Sequence, residues 1–267
     1  MDLTDTCKNI REDTVRCIAS IGVGHIGGCL SMVEILATLY FKEMNIDPNN
    51  PKMEGRDRLI VSKGHAGPAV YATLANRGYF SKDLLLTLNQ SGTALPSHCD
   101  MNRTVGIDMT TGSLGQGFSC AVGAALGSKI KKDGAYVYAI IGDGESQEGQ
   151  IWEAAMFAAS KKLNNLIAFT DYNGMQIDGM TEDVNGLEPL ADKWKGFGWN
   201  TYEVDGHDLD QLATAIKNAK AQDKPTMIIA KTIKGKGVSF VEEKGFANHN
   251  MPFKEEDLAK AIKEIRG

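Results

Sequence analysis

The apolar run Tyr136-Val137-Tyr138-Ala139-Ile140-Ile141 ends in Gly142-Asp143-Gly144-Glu145. A strand that ends this way delivers a carboxylate to the carboxyl edge of a parallel sheet, where α/β folds bind their ligands. The two glycines let a bulky anion come close to the backbone. The next such run ends in Thr170-Asp171-Tyr172-Asn173-Gly174 and brings a neutral amide oxygen to the same edge. One carboxylate, one amide oxygen and a backbone carbonyl suit Mg²⁺ or Ca²⁺ completed by ligand phosphates. Ordinary βα turns use the same residue types, but seldom with this spelling at the ends of two successive strands.

Four of the five histidines, His25, His65, His98 and His249, sit beside glycines, proline or polar loop residues. Neutral imidazoles at such breaks can orient hydroxyls and shuttle protons near pH 7; none has the spacing of a zinc site. His207, in Asp205-Gly206-His207-Asp208, precedes a helix start and reads as turn chemistry. Gly22-x-Gly24-x-x-Gly27 spells a dinucleotide fingerprint, but a helix precedes it where that fingerprint needs a strand. What remains is a helix–loop–helix turn that holds His25 between glycines. Thr110-Thr111-Gly112-Ser113-Leu114-Gly115-Gln116-Gly117 opens a run of small residues. Its helix start either aims free N–H groups at a ligand or packs closely on a neighbour, and the residues leave both open.

The elements that must position these groups alternate. A helix is expected from Leu3 to about Ser20, with Leu3, Cys7, Ile10, Thr14 and Cys17 on one face, and a buried helix over Leu30 to Phe41. Strands are expected at Arg58–Ser62, Ala135–Ile141, Leu166–Thr170, Trp199–Val204 and Thr226–Ala230. Helices fall between them, notably over Glu145–Lys162 and Leu209–Ala221, and another begins at Lys254. This cadence predicts an α/β fold, a mostly parallel sheet with helices on both faces. Lys234 to Asn250 is glycine-rich and charged and reads as a long functional loop. No linker interrupts the chain, so one domain over residues 1–267 is expected, with every strand from Ala135 onward used in one sheet.

The chain has 267 residues, 29 Lys+Arg and 34 Asp+Glu, for a formal charge of −5. That balance, with no basic block, argues against nucleic-acid binding. No apolar run is long enough to span a bilayer, and the start Met1-Asp2-Leu3-Thr4-Asp5 lacks the basic and apolar regions of a secretory signal. The five cysteines contain no C-x-x-C pair and read as buried, reduced thiols. A soluble cytoplasmic protein is the expectation.

Gly142-Asp143-Gly144 followed by Asn173 resembles the thiamine diphosphate motif. Gly24-His25, Asp57-Arg58 through Gly64-His65, Thr111 to Gly117 and Gln147-Glu148-Gly149 extend the likeness to the transketolase family over nearly the whole chain. The likeness covers only that family's N-terminal, diphosphate-binding part. It implies a thiamine diphosphate-binding fold and a split enzyme that moves a two-carbon ketol unit from a ketose phosphate to an aldose phosphate. The partner it implies is a C-terminal subunit carrying the pyrimidine-binding domain, joined in a heterotetramer and supplying the glutamate that activates the cofactor. Position by position, Asp143, Asn173 and the Met175 carbonyl would hold Mg²⁺ or Ca²⁺. Gly142 and Gly144 would flank the diphosphate, and Gly112 and Leu114 would meet the aminopyrimidine. His65 and His249 would neighbour the diphosphate and the reacting carbon, and His25 and His98 the donor's terminal hydroxyl. Glu148 would join a carboxylate network at the subunit interface. Ile26 and Ser113 depart from the family's usual prolines, and the loop before His249 is altered. Other outcomes within the same cofactor class are a deoxyxylulose-phosphate synthase-like or 2-oxo acid dehydrogenase-like subunit, or a silent cofactor-holding scaffold.

Overall fold

Strands buried on both sides divide their residues between two cores, because successive side chains point to opposite faces. The computed structural model describes residues 2–267; Met1, the first residue of the signal-free start expected above, lies outside it. Five strands form the central sheet: Arg58–Val61 (β1), Val137–Gly142 (β2), Leu166–Tyr172 (β3), Asn200–Asp205 (β4) and Thr226–Lys231 (β5). They pair in the order β1-β2-β3-β5-β4, each pair parallel. The main helices are Leu3–Ala19 (α1), Val33–Thr38 (α2), Gly67–Arg77 (α3), Gln116–Lys131 (α4), Gly149–Ser160 (α5), Leu209–Lys220 (α6) and Glu255–Arg266 (α7). Tyr138, Ile140, Ile167, Phe169 and Ile228 pack with apolar residues of α1, α2, α3, α6 and α7. Their neighbours Val137, Ala139, Ile141, Leu166, Ala168, Met227 and Ile229 pack with α4, α5, Trp194 and Trp199. Helices therefore cover both faces of a parallel sheet, as the sequence predicts. Among the described residues, no helix is long and apolar enough to cross a membrane.

Small residues in α4 allow it to lie directly on the strand ends. A Cβ at Gly117 would come 2.8 Å from Ser62 Cα, and Phe118 beside it is buried against Trp194 and Trp199, ring centroids 5.9 Å away in both cases.

Several elements differ from expectation where side chains compete with the helix ladder. The helix expected over Leu30–Phe41 is broken at Ser31 and Met32 and finishes as a π turn, Leu39–Glu43. The break puts the Ser31 hydroxyl 2.6 Å from Asp171 Oδ2. The helix expected from Glu145 is a 3-10 turn, Gly144–Gln147, that stops at an extended Glu148 before α5 begins. Lys234–Asn250 is ordered rather than open, with short helical turns at Ser239–Glu242 and Gly245–Asn248. Not every later strand joins the main sheet: Met175–Gln176 pairs with Gly179–Met180, and Met251–Pro252 pairs with Val23–Gly24. Four cysteines are buried as expected, but Cys120 lies exposed on the outer face of α4.

Beneath the carboxyl edge of the sheet sits a buried ion pair. Lys63 Nζ lies 2.5 Å from Asp171 Oδ2 and 2.7 Å from the Gly28 carbonyl. Asp171 also accepts from Ser31 and from Thr232 Oγ1, the latter at 2.5 Å. Burial works against its charge, but Lys63 and the two hydroxyls hold its carboxyl below the usual range. Removing one partner of such a pair strands the other charge in the interior. Lys63→Met is expected to cost about 3–5 kcal/mol in urea unfolding, and adding Asp171→Asn should recover part of it. A single-variant loss within experimental error of zero would contradict this placement of the pair.

Candidate active site

The sheet ends β1, β2, β3 and β5 each hand a short polar segment to one cavity of about 340 Å³. After β1 come Lys63 and His65; after β2, Gly142, Asp143 and Gly144; after β3, Asn173 and Met175; after β5, Lys234. His25, His98, Gly112, Leu114, Glu148 and His249 complete the wall. Every candidate site residue singled out from the sequence thus lines the same space.

Asp143 is buried, and its carboxylate accepts the backbone N–H of Gly144 at 2.8 Å and of Gly174 at 2.5 Å. Burial, then the negative charge of Asp171, pushes its pKa up to about 6. An ionised carboxylate at this position calls for a cation. Gly142 pairs in register with Asp171, which sets Asp143 and Asn173 on neighbouring strand ends. Their side-chain oxygens and the Met175 carbonyl form a hard-oxygen donor set with one carboxylate, which fits a divalent ion completed by phosphate. No cluster of three or more His, Cys, Asp or Glu suited to a metal occurs among the described residues, and this donor set requires none. Two wall glycines let side chains pack close to the backbone: a Cβ at Gly144 would meet Gln176 Cβ at 3.0 Å, and one at Gly112 would meet His98 Cδ2 at 3.1 Å.

The four loop histidines form one cluster. Ring centroids of His25 lie 5.2 Å from His65, 5.7 Å from His98 and 5.3 Å from His249, and His65 lies 5.0 Å from His249. The short pairing of Val23–Gly24 with Met251–Pro252 joins the chain segments that carry His25 and His249. Burial lowers all four pKa values. Lys63 adds to the effect at His65, His98 at His25, and Lys234 at His249, which falls to about 3. The site therefore presents neutral imidazoles at pH 7.

Three side chains escaped the reading of the sequence. Lys234 is buried, with its ammonium 3.5 Å from the Met175 carbonyl and 3.4 Å from His249 Nδ1. Burial draws its pKa down to about 8, against the pull of Asp143. It follows β5 and precedes a glycine, the same signal that marked Asp143, but within a stretch that reads as loop. Lys63, beside Gly64-His65, carries the same signal. Glu145 is buried and accepts from Ser62 Oγ, from Gly115 N at 2.8 Å and from Gly142 N at 3.0 Å. It fastens the Gly112–Gly117 loop to the end of β2. Phe118 N donates to Ser62 Oγ at 3.0 Å and Gly117 has no room for a Cβ against Ser62, so the start of α4 packs closely on the end of β1. Glu148 is exposed at the cavity edge. His207 is not simple turn chemistry: it bonds Glu34 and the backbone of Ile233.

Residues 3–267 match the family described as transketolase, thiamine diphosphate binding domain. The chain is 59% identical, over 99% of its length and 96% of the relative's, to the 6-deoxy-6-sulfo-D-fructose transketolase subunit SqwG of Clostridium sp. (strain MSTE9). It is 39% identical, with the same coverage, to an apulose-4-phosphate transketolase subunit of Actinobacillus succinogenes. The solved transketolase from Campylobacter jejuni superimposes with a TM-score of 0.93 at 30% identity, covering 100% of this chain and 43% of that one. The chain thus spans nearly the full length of the subunits it resembles and less than half of the solved transketolase.

The histidine cluster generates a pH dependence. Unfolded histidines protonate near pH 6.5, whereas these four stay neutral to lower pH in the folded chain. Below about pH 6.5 the unfolded state therefore binds more protons, and stability falls with pH until the folded values are reached. Asp143, between its unfolded value and about 6, and the raised carboxyls of Glu145 and Asp57 act in the opposite sense, three groups against four. The thermal midpoint should drop between pH 7 and 5, and His249→Gln should make the drop shallower. Equal slopes for the two proteins would show His249 to be protonated when folded.

Proposed function

The chain belongs to the transketolase family as its N-terminal, thiamine diphosphate-binding part, and from that premise we propose that it is one half of a two-chain transketolase. The observation that carries this reading is the single cavity in which Asp143, Asn173 and Met175 lie beside Lys234 and four neutral histidines. Asp143, Asn173 and the Met175 carbonyl hold Mg²⁺ or Ca²⁺, and Lys234 offsets the charge of the diphosphate. Gly142 and Gly144 would flank that group, while Gly112 and Leu114 would meet the aminopyrimidine. When bound, the cofactor supplies the carbanion chemistry that carries a two-carbon ketol unit from a ketose to an aldose phosphate. A neutral imidazole can accept a hydroxyl proton on one nitrogen while donating from the other. His65 and His249 do so at the reacting carbon, and His25 and His98 at the donor's terminal hydroxyl.

The partner in this proposal is a C-terminal subunit with the pyrimidine-binding domain, assembled as a heterotetramer with sites at the interfaces and Glu148 facing the partner. Its support is length: the chain spans 96% of the subunit SqwG but 42% of human transketolase. The relative at 59% identity is named for 6-deoxy-6-sulfo-D-fructose, so a ketose with an anionic group at its far end is the donor class to test first.

Two measurements test the proposal. Asp143→Ala should abolish metal-dependent thiamine diphosphate binding by the assembled enzyme; unchanged affinity would remove the metal assignment. The chain alone should give no ketol transfer with cofactor and Mg²⁺, and activity should appear on adding the C-terminal subunit. Full turnover without it would overturn the two-chain reading, and pyruvate decarboxylation by the pair would move the chain to another reaction of its cofactor class.

A further inference from the structure

Lys234 has no carboxylate against it, only a carbonyl and an imidazole at 3.5 and 3.4 Å. Its backbone therefore has to be held from outside to keep the ammonium in the cavity. The segment that carries it leaves β5 as a series of turns; Asn248 Nδ2 donates to the Lys234 carbonyl at 3.1 Å, and three groups more distant in the chain grip the residues around it. Ile233 N–H donates to His207 Nε2 at 2.9 Å, Gly235 N–H to the Gly27 carbonyl at 3.0 Å, and Arg11 Nε to the Lys236 carbonyl at 3.0 Å. His207 and Arg11 are joined through one carboxylate: Glu34 Oε2 lies 2.9 Å from His207 Nδ1, and Arg11 meets both Glu34 oxygens at 2.6 and 2.8 Å. Because Nε2 accepts the Ile233 N–H, the ring proton lies on Nδ1 and is donated to Glu34. The side chains of Arg11 and Glu34 are each 9% exposed and that of His207 12%. Gly237 leaves the space that Arg11 fills, since a Cβ there would come 3.1 Å from Arg11 Cδ.

A buried ion pair is a poor source of net stability, and tying α1 to α2 would need only Arg11 and Glu34. The additional bonds fall on Ile233 and Lys236, which bracket Lys234 and Gly235. We infer that Arg11, Glu34 and His207, none of which lines the cavity, are positioning residues that hold the backbone around Lys234 and aim its ammonium at the diphosphate end of the site. This rests on the proposed role of Lys234 toward the diphosphate.

The test is calorimetric titration of the full chain with inorganic diphosphate and Mg²⁺, with thermal midpoints recorded alongside. Lys234→Met should weaken binding about tenfold or more, the scale of one charge-assisted contact. His207→Ala should weaken it about fivefold, a fraction of that contact. His207→Gln, whose amide oxygen can reach Ile233 N–H, should restore much of the loss. In a Lys234→Met background, His207→Ala should still lower the thermal midpoint but change diphosphate affinity no further. An equal affinity loss in both backgrounds would overturn the inference, because the network would then act through the fold at large. So would an unchanged affinity for His207→Ala where Lys234→Met binds weakly. If Lys234→Met itself binds as the unaltered chain does, or that chain binds no diphosphate, the underlying reading of the site fails instead.

Discussion

Three segments of this chain converge on one carboxylate carried by a fourth. Asp171, at the end of β3, accepts from Lys63 beyond β1, from Ser31 at the end of the short helix Ile26–Leu30 that follows His25, and from Thr232 beyond β5. Each partner stands within a few residues of a group in the cavity: Lys63 near His65, Ser31 near His25, Thr232 near Lys234. Asn173 lies two residues from Asp171 itself. An ionised group with no water around it must be met by fixed donors, so the need to satisfy Asp171 fixes the spacing of the segments that form the site. Glu145 has the same function on the other side, drawing Gly115 and Ser62 to the end of β2. The cavity floor is thus braced by two buried carboxylates, of which Glu145 reaches the cavity wall and Asp171 does not.

Above that floor the titratable groups meet in one space. A carboxylate raised by burial and four imidazoles kept neutral mainly by burial share the cavity with Lys234, a lysine lowered by burial that lies between the Met175 carbonyl and His249. The same desolvation acts on all of them. It leaves the Asp143 end short of a cation and the Lys234 ammonium short of an anion, which a metal–diphosphate pair would supply together. It also keeps the histidines as acceptors and donors of hydrogen bonds rather than as additional positive charges.

The legible part of this architecture was what sequence spacing records. Alternating apolar strands and helices, and strand ends spelled Gly-Asp-Gly or ending in Asn-Gly, come from local constraints on burial and backbone approach. They led to the parallel sheet, its two covered faces and Asp143, Asn173 and the four loop histidines as candidates, while Gly112, Leu114, Met175 and Glu148 entered as site residues only through the resemblance to the transketolase family. What escaped depended on contacts distant in the chain. Ser31 breaks a helix that apolar periodicity extends, because Asp171 lies far along the sequence but 2.6 Å away in space. His207 resembles a turn residue because its partners, Glu34 and Ile233, belong to other segments. Lys234 is hidden from sequence reasoning because a charged, glycine-rich stretch resembles solvated loop unless its burial is known.

The mouth of the cavity bears on the two-chain proposal from a different direction. Leu114 is 36% exposed and Ile177, at the tip of the Met175–Met180 hairpin, is 65% exposed, and both line the site. On the outward side of α4, Cys120 is exposed, and Gly123 and Gly127 have open space where side chains would be. Exposed single apolar residues are ordinary, but apolar side chains beside a deep polar cavity favour a cover that removes them from water. The polar groups for a metal and a phosphate lie in this chain, held by buried carboxylates. The apolar side chains at the rim have little within it to pack against. A ligand with a charged tail and a flat aromatic head would find its tail held here and its head left partly in water. The energetic gain from adding a second surface would then fall on the head, the part of the ligand on which this chain has the weakest hold.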